Sequence, residues 1–158
     1  MDSNFIELLY SRFLLSTGVS TDTRTLQPGN LFFALKGPNF NANAYADQAL
    51  AQGASYVVID DAAWKKDDRY IVASDTLLAL QDLARFHRSR FKRKVVALTG
   101  SNGKTTTKEL INAVLSKKFI TLATAGNLNN HIGVPLTVLQ IHPQVEVAII
   151  EMGANKLG

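Results

Sequence analysis

Gly100, Gly103, Lys104 and Thr105 lie close together in the stretch ALTGSNGKTTTKEL, Ala97 to Leu110. Residues of these types at this spacing suit phosphate binding. A glycine-rich turn points backbone N–H groups at an anion, and the positive end of a following helix adds to the field. A lysine reaches the outer phosphates, and the next hydroxyl ligates Mg2+. Gly103-Lys104-Thr105 matches the end of the usual loop G-x-x-x-x-G-K-[ST], whose first glycine would fall at Leu98. Gly100 stands nearer, so the strict pattern fails. For a bare G-K-T, a structural turn carrying a surface lysine is the plainer reading. An apolar strand before it and a helix after it supply the context that phosphate binding requires.

Glu151 is the second chemical residue. It follows the apolar run Val147 to Ile150 and precedes Met152-Gly153. An acid at the carboxyl end of a parallel strand faces the crevice where such sheets bind ligands. Beside the Thr105 hydroxyl it suits Mg2+, which takes few protein ligands and keeps waters and phosphate oxygens. Alone, an exposed strand-end acid is the lesser alternative reading. The third group is GNLNNHIGVP, Gly126 to Pro135. Its asparagines and His131 serve either as helix caps or as neutral hydrogen-bonding groups for a polar substrate. His87 and His142 have no evident partner in the sequence.

These residues need a scaffold of alternating strands and helices. VVALTG, FITLAT and VEVAIIEMG read as strands. Thr105 to Lys118 reads as a helix with Leu110, Val114 and Leu115 apolar, and NNHIGVPLTVLQI as another, with Pro135 in its first turn. Continuous apolar strands between helices predict a parallel sheet covered on both faces. Upstream, a small mixed α/β unit is expected. It starts with a helix capped by Ser3 and bearing Phe5, Leu8, Leu9 and Phe13, followed by a turn at Gln27 to Gly29. Strands follow at Leu31 to Gly37, SYVVID and RYIVAS, with a helix at NAYADQALAQG and another opening at Ser74 or Asp75. The expected division is a first domain over 1–84, a linker over 85–94, and a parallel-sheet P-loop domain from 95 to 158 that stops after its early strands, as in a fragment of something longer.

Bulk composition narrows the classes. The 158 residues are 46% hydrophobic, with no cysteine and a net charge of +4. A packed soluble core is expected, and disulfides and cysteine-ligated metal sites are excluded. No apolar run is long enough to span a membrane, and MDSNFIELLY does not read as a secretory signal. Ten of the seventeen Lys and Arg residues lie between Arg85 and Lys118, opposed there only by Glu109. Without interleaved aromatics this basic stretch does not read as a nucleic-acid module. Over Arg85 to Lys94 it reads as a solvated helix end and linker.

Together the motifs resemble the Mur ligase family. TGSNGKTTTKE is similar to that family's shortened phosphate loop, T-G-[ST]-N-G-K-[ST], which accounts for Leu98. STDTR and LFFALKG resemble its uridine-nucleotide-binding N-terminal domain, with Asp22-Thr23-Arg24 in place of D-S-R and Phe40-Asn41-Ala42-Asn43 in place of F-D-G-H. GNLNNHIGVPLT and EMGAN narrow the likeness to members that add the terminal dipeptide.

The resemblance implies a cytoplasmic, ATP- and Mg2+-dependent ligase of peptidoglycan precursor synthesis. It would join D-alanyl-D-alanine to UDP-N-acetylmuramoyl-tripeptide through an acyl phosphate, and the parent would be monomeric. ATP would meet Gly100, Ser101, Asn102, Gly103, Lys104, Thr105 and Thr106, with Lys104 catalytic and Thr105 and Glu151 holding Mg2+. Thr23, Arg24, Lys36, Gly37 and Asn43 would surround the UDP part, and Asn127, Asn130 and His131 would line the donor's path. The fragment alone is expected to be inactive. The alternatives are the related ligase that adds the third, diamino acid residue, and a UDP-sugar-nucleotide-binding module without turnover.

Overall fold

The computed structural model describes residues 2–153, and the chain divides into two compact units, 1–86 and 87–158. The asparagine of EMGAN, Asn155, lies outside the described residues.

The first unit opens with helix α1 (Ser3–Leu14), which buries Leu9 and Phe13. Its cap is Asp2 rather than Ser3: the Asp2 carboxylate accepts from the Asn4 N–H at 3.2 Å. An aspartate one residue earlier provides the same acceptor with a full charge at the helix's positive end. Strands β1 (Val19–Ser20) and β2 (Leu31–Phe33) follow, then a hairpin of β3 (Lys36–Gly37) and β4 (Phe40–Asn41). A 3-10 turn at Ala42–Tyr45 leads into α2 (Ala46–Ala51), then β5 (Tyr56–Ile59) and β6 (Tyr70–Val72). Strands β1-β2-β5-β6 form one parallel sheet in that order. Phe32, Val57 and Ile59 of the sheet pack with Ala46 and Ala49 of α2, all at most 1% exposed.

The single strand expected over Leu31 to Gly37 is thus two. The first ends where the Ala34 carbonyl accepts from the Thr76 hydroxyl at 3.0 Å instead of extending the ladder. Lys36 and Gly37 then pair backward onto Asn41 and Phe40. Helix α3 (Thr76–Arg90) turns Ala79, Leu80, Leu83 and Ala84 inward. It runs through Arg90, so most of the stretch expected as linker is helical.

The second unit carries β7 (Lys94–Leu98), α4 (Lys104–Leu115), β8 (Thr121–Ala123), α5 (Gly133–Val138) and β9 (Val147–Glu151). The three strands are parallel in the order β7-β9-β8. All five residues of the central strand β9 are buried, as an apolar run flanked on both sides should be. The register sets Leu98 beside Glu151 and Ala123 beside Ile149, which brings the carboxyl ends of all three strands to one edge. Helix α5 is shorter than expected, because the stretch before Gly133 is a loop. One part of the sequence reading is inverted on α4. Leu110 and Val114 are 63% and 70% exposed, and the fully buried residue of that helix is Lys108.

Candidate functional site

Three segments leave the carboxyl edge of the second sheet. Residues 99–103 leave β7, residues 124–132 leave β8, and β9 ends in Glu151 itself. The loop after β7 passes into α4 through Gly103, whose φ of +74° is left-handed and which makes no side-chain cap. A residue with a Cβ is strained there. With no side chain capping them, the first N–H groups of α4 are available to an anion. Lys104, half-buried, folds back over the loop and donates from Nζ to the Gly100 carbonyl at 2.6 Å. Ser101, Asn102, Thr105 and Thr106 are all exposed around it.

Glu151 is fully buried. Its Oε1 accepts from the Thr105 hydroxyl at 3.3 Å and from Asn129 Nδ2 at 2.7 Å. Its backbone N–H donates to the Thr124 hydroxyl at 2.9 Å. Its other oxygen, Oε2, is buried and has no partner. A buried carboxylate oxygen without a hydrogen bond or a cation is costly. The Thr105–Glu151 pair expected from the sequence is therefore in place, with one acceptor to spare.

Mg2+ fits that arrangement. It is a hard cation served by a carboxylate and a hydroxyl, with phosphate and water oxygens completing its shell. Among the described residues there is no cluster of three or more His, Cys, Asp or Glu, and the fit rests on the free oxygen of Glu151.

The loop after β8 is pinned at both ends. Asn130 Oδ1 accepts from the backbone N–H groups of Ile132 and Gly133 at 3.0 and 2.8 Å. That is the capping role weighed for it in the sequence, so its acceptor is engaged. Gly133 packs so tightly on this loop that a Cβ would lie 2.5 Å from the Leu128 carbonyl carbon. Asn127 and His131 are exposed on the same loop. Asn129, the asparagine between the two that were singled out, is the one that reaches Glu151. Its own carbonyl also accepts from the Gly153 N–H at 2.6 Å. Nothing in the run of asparagines distinguishes it. Thr124 and Lys108 were also missed, both buried and joined by a 2.7 Å hydrogen bond from Lys108 Nζ to the Thr124 carbonyl.

The residues expected around the UDP part belong to the first unit. Thr23 and Arg24 follow β1, and Lys36 and Gly37 lie just after β2. All follow carboxyl ends of adjacent parallel strands, where open sheets bind ligands. Arg24 forks onto Asp22, with Nη2 at 2.6 Å from Oδ2, and this hydrogen bond holds the Asp22 carboxyl down at about 2. Lys36 Nζ pairs with Asp60 Oδ1 at 2.8 Å, which raises the lysine's pKa. Burial works to raise that of Asp60, but hydrogen bonds from Lys36 and Asn43 outweigh it and leave the carboxyl below its ordinary value.

Asn43 requires a correction. It is fully buried, donates to Asn41 and Asp60, and accepts from the Asp60 N–H at 3.1 Å. Its amide is taken up inside the unit, where it fixes Asp60 and through it Lys36, and it offers no free group to a ligand. The histidines are also partnered differently from the sequence reading. His87 Nε2 lies 2.7 Å from the Ile141 carbonyl, and His142 Nδ1 lies 2.7 Å from Gln144 Oε1.

No helix among the described residues is long and apolar enough to cross a membrane. Comparison with known proteins agrees with this architecture. The family model described as Mur ligase family, catalytic domain, matches residues 16–88, and that described as Mur ligase middle domain matches residues 98–158. The UDP-N-acetylmuramoyl-tripeptide–D-alanyl-D-alanine ligase of Escherichia coli K12 is 49% identical over 140 residues, covering 89% of this chain and 31% of its own length. The Bacillus subtilis ligase of the same name is 43% identical over 143 residues, again covering 89% and 31%.

Among solved structures, MurF from Acinetobacter baumannii superposes with a TM-score of 0.83 at 35% identity, covering 97% of this chain and 36% of that one. MurF ligase from Thermotoga maritima in complex with ADP gives 0.79 at 33%, covering 92% and 34%. The chain spans about a third of the length of these relatives. The two family matches lie side by side along most of the sequence, and the short phosphate loop, the strand-end glutamate and the two-unit fold fall within them: the chain belongs to the Mur ligase family.

Proposed function

We propose that this chain is the nucleotide-donor and phosphate-loop part of an ATP-dependent ligase that joins D-alanyl-D-alanine to UDP-N-acetylmuramoyl-tripeptide. The observation that carries the reading is the free, buried Oε2 of Glu151 beside the Thr105 hydroxyl, at the uncapped start of the helix that bears Lys104. The names of the relatives supply the substrates, and the ADP complex of the Thermotoga maritima neighbour supports an adenine nucleotide as a ligand.

The mechanism follows from what these residues can do. The α4 N–H groups and the loop backbone bind the phosphates. Lys104 exchanges its bond to the Gly100 carbonyl for the outer phosphate, where its charge is worth most as the γ-phosphoryl moves. Thr105 and Glu151 would hold the cation. Mg2+ bound there would supply positive charge against the phosphate oxygens. The donor's carboxylate attacks the γ-phosphorus, ADP leaves, and the acyl phosphate that results is open to the amine of the dipeptide, which expels phosphate. Asn127 and His131, exposed on the loop after β8, line the donor's path. Thr23, Arg24, Lys36 and Gly37 hold its UDP end. The cell compartment that fits these substrates is the cytoplasm.

The 158-residue chain should bind the donor weakly and form no peptide. Two thirds of the relatives' length is outside it, and holding the amine against the acyl phosphate is worth roughly 7–11 kcal/mol of barrier that a lysine and a metal site do not replace. Calorimetry with the UDP-linked tripeptide and a phosphate-release assay test the two halves. Acceptor-dependent phosphate release by the 158-residue chain would refute this division of labour.

A further inference from the structure

Lys108 is a fully buried lysine that the mechanism above does not use. It lies one turn beyond Lys104 on α4, and its side chain is 1% exposed. Its ammonium has two partners, the Thr124 carbonyl at 2.7 Å and Glu109 Oε1 at 2.9 Å. With no exposed surface it reaches no ligand without the helix moving, so it does not touch phosphate. Stability gives little reason for the charge either. An apolar side chain of similar length in such a place is commonly neutral or better, because a buried ammonium must be desolvated.

What the ammonium does hold is Thr124. That residue sits just past the short strand β8, bonded to the ladder through its N–H to the Ile149 carbonyl at 3.0 Å. Its hydroxyl receives the Glu151 N–H at 2.9 Å. It also begins the loop whose Asn129 grips Glu151 Oε1 at 2.7 Å. Helix α4, the end of β8 and the end of β9 therefore meet at Thr124, and Lys108 is the tie from the helix.

We propose that Lys108 is a positioning residue for the Glu151 carboxylate, acting through Thr124. By clamping the Thr124 carbonyl it keeps the hydroxyl against the Glu151 backbone and the α4 residue Thr105 in register with the carboxylate. The inference rests on the metal reading of Glu151. Groups that orient a metal ligand in this way change metal affinity on removal without touching the ion.

The test is metal binding, with Mn2+ as the probe. Mn2+ is titrated into the full chain in the presence of ADP, and free Mn2+ is followed by electron paramagnetic resonance. The variants are Lys108→Met, Lys108→Arg, Thr124→Val and Glu151→Gln. Lys108→Met and Thr124→Val should each weaken Mn2+ binding about tenfold or more. The double variant should be little worse than either alone, because both break one link. Lys108→Arg, which keeps a donor for the Thr124 carbonyl, should bind closer to wild type. Thr124→Val decides the matter where Lys108→Met does not fold. Wild-type affinity in Lys108→Met and Thr124→Val, with affinity lost in Glu151→Gln, overturns the positioning role and leaves the metal site standing. Wild-type affinity in Glu151→Gln, or no saturable site in the wild-type chain, removes the metal site and the proposal with it.

Discussion

Asn129 and Glu151, 22 residues apart in the chain, are joined by a 2.7 Å hydrogen bond from Nδ2 to Oε1, and this bond directs the other oxygen of the glutamate to be the free one. The loop after β8 and the end of β9 thereby form one structure. Asn129→Ala leaves Oε1 with only the longer Thr105 bond. It should destabilise the second unit by about 1–3 kcal/mol, the cost of a buried acceptor losing its partner. Adding Glu151→Gln should recover part of that loss, since the buried charge is then gone. Urea unfolding of the two variants checks both statements. An unchanged midpoint in Asn129→Ala would show that this bond carries no weight.

Gly133 is required by space rather than by its backbone angle. A Cβ there meets the Leu128 backbone, with the nearest atom 2.5 Å away. Backbone has no rotamer with which to escape, so Gly133→Ala must push the loop away from α5. The expected loss is about 1–3 kcal/mol, as for other overpacked sites. Thermal unfolding checks it, with Gly126→Ala as a control for strain without a clash: Gly126 has a positive φ of 52° and nothing within 4 Å of its would-be Cβ.

His87 gives the fold a pH dependence of known sign. Burial lowers its pKa, against the opposing effect of its bond to the Ile141 carbonyl. The unfolded chain therefore takes up a proton at about pH 6.5, before the folded chain does. Stability contributed by the neutral ring is present above that pH, falls as pH drops through it, and levels off below the folded value. His87→Gln should flatten this part of the profile. Urea midpoints at pH 7.5 and 5.5 for both proteins measure it, and an identical pH drop in the variant would assign the effect elsewhere.

The elements read correctly from the sequence are those whose evidence is local. The phosphate loop is a strand, a turn and a helix in succession, and Glu151 ends an apolar strand. Each signal lies within a dozen residues, and register does the rest by setting Leu98 beside Glu151. Asn129, Thr124 and Lys108 were not legible, because each is defined by a partner on another element. Lys108 was overlooked for a physical reason. A lysine between Thr107 and Glu109 reads as solvated, and Leu110 and Val114 as core, yet α4 turns the lysine inward and the two apolar residues outward. Asn43 reversed in the same way, since its burial depends on Asp60, 17 residues away.

The most direct test of the central claim is acceptor-dependent phosphate release by a ligase that carries these 158 residues, with UDP-N-acetylmuramoyl-tripeptide, D-alanyl-D-alanine and MgATP, compared with its Lys104→Ala variant. Lys104 makes one bond, to the Gly100 carbonyl, in an otherwise solvent-exposed loop, so the variant should fold with stability within about 0.5 kcal/mol of wild type. Its kcat should fall by about 10²–10³-fold, the cost of removing a group aimed at charge in the transition state. Near-normal turnover in Lys104→Ala, or wild-type phosphate release that ignores the dipeptide, would contradict the account.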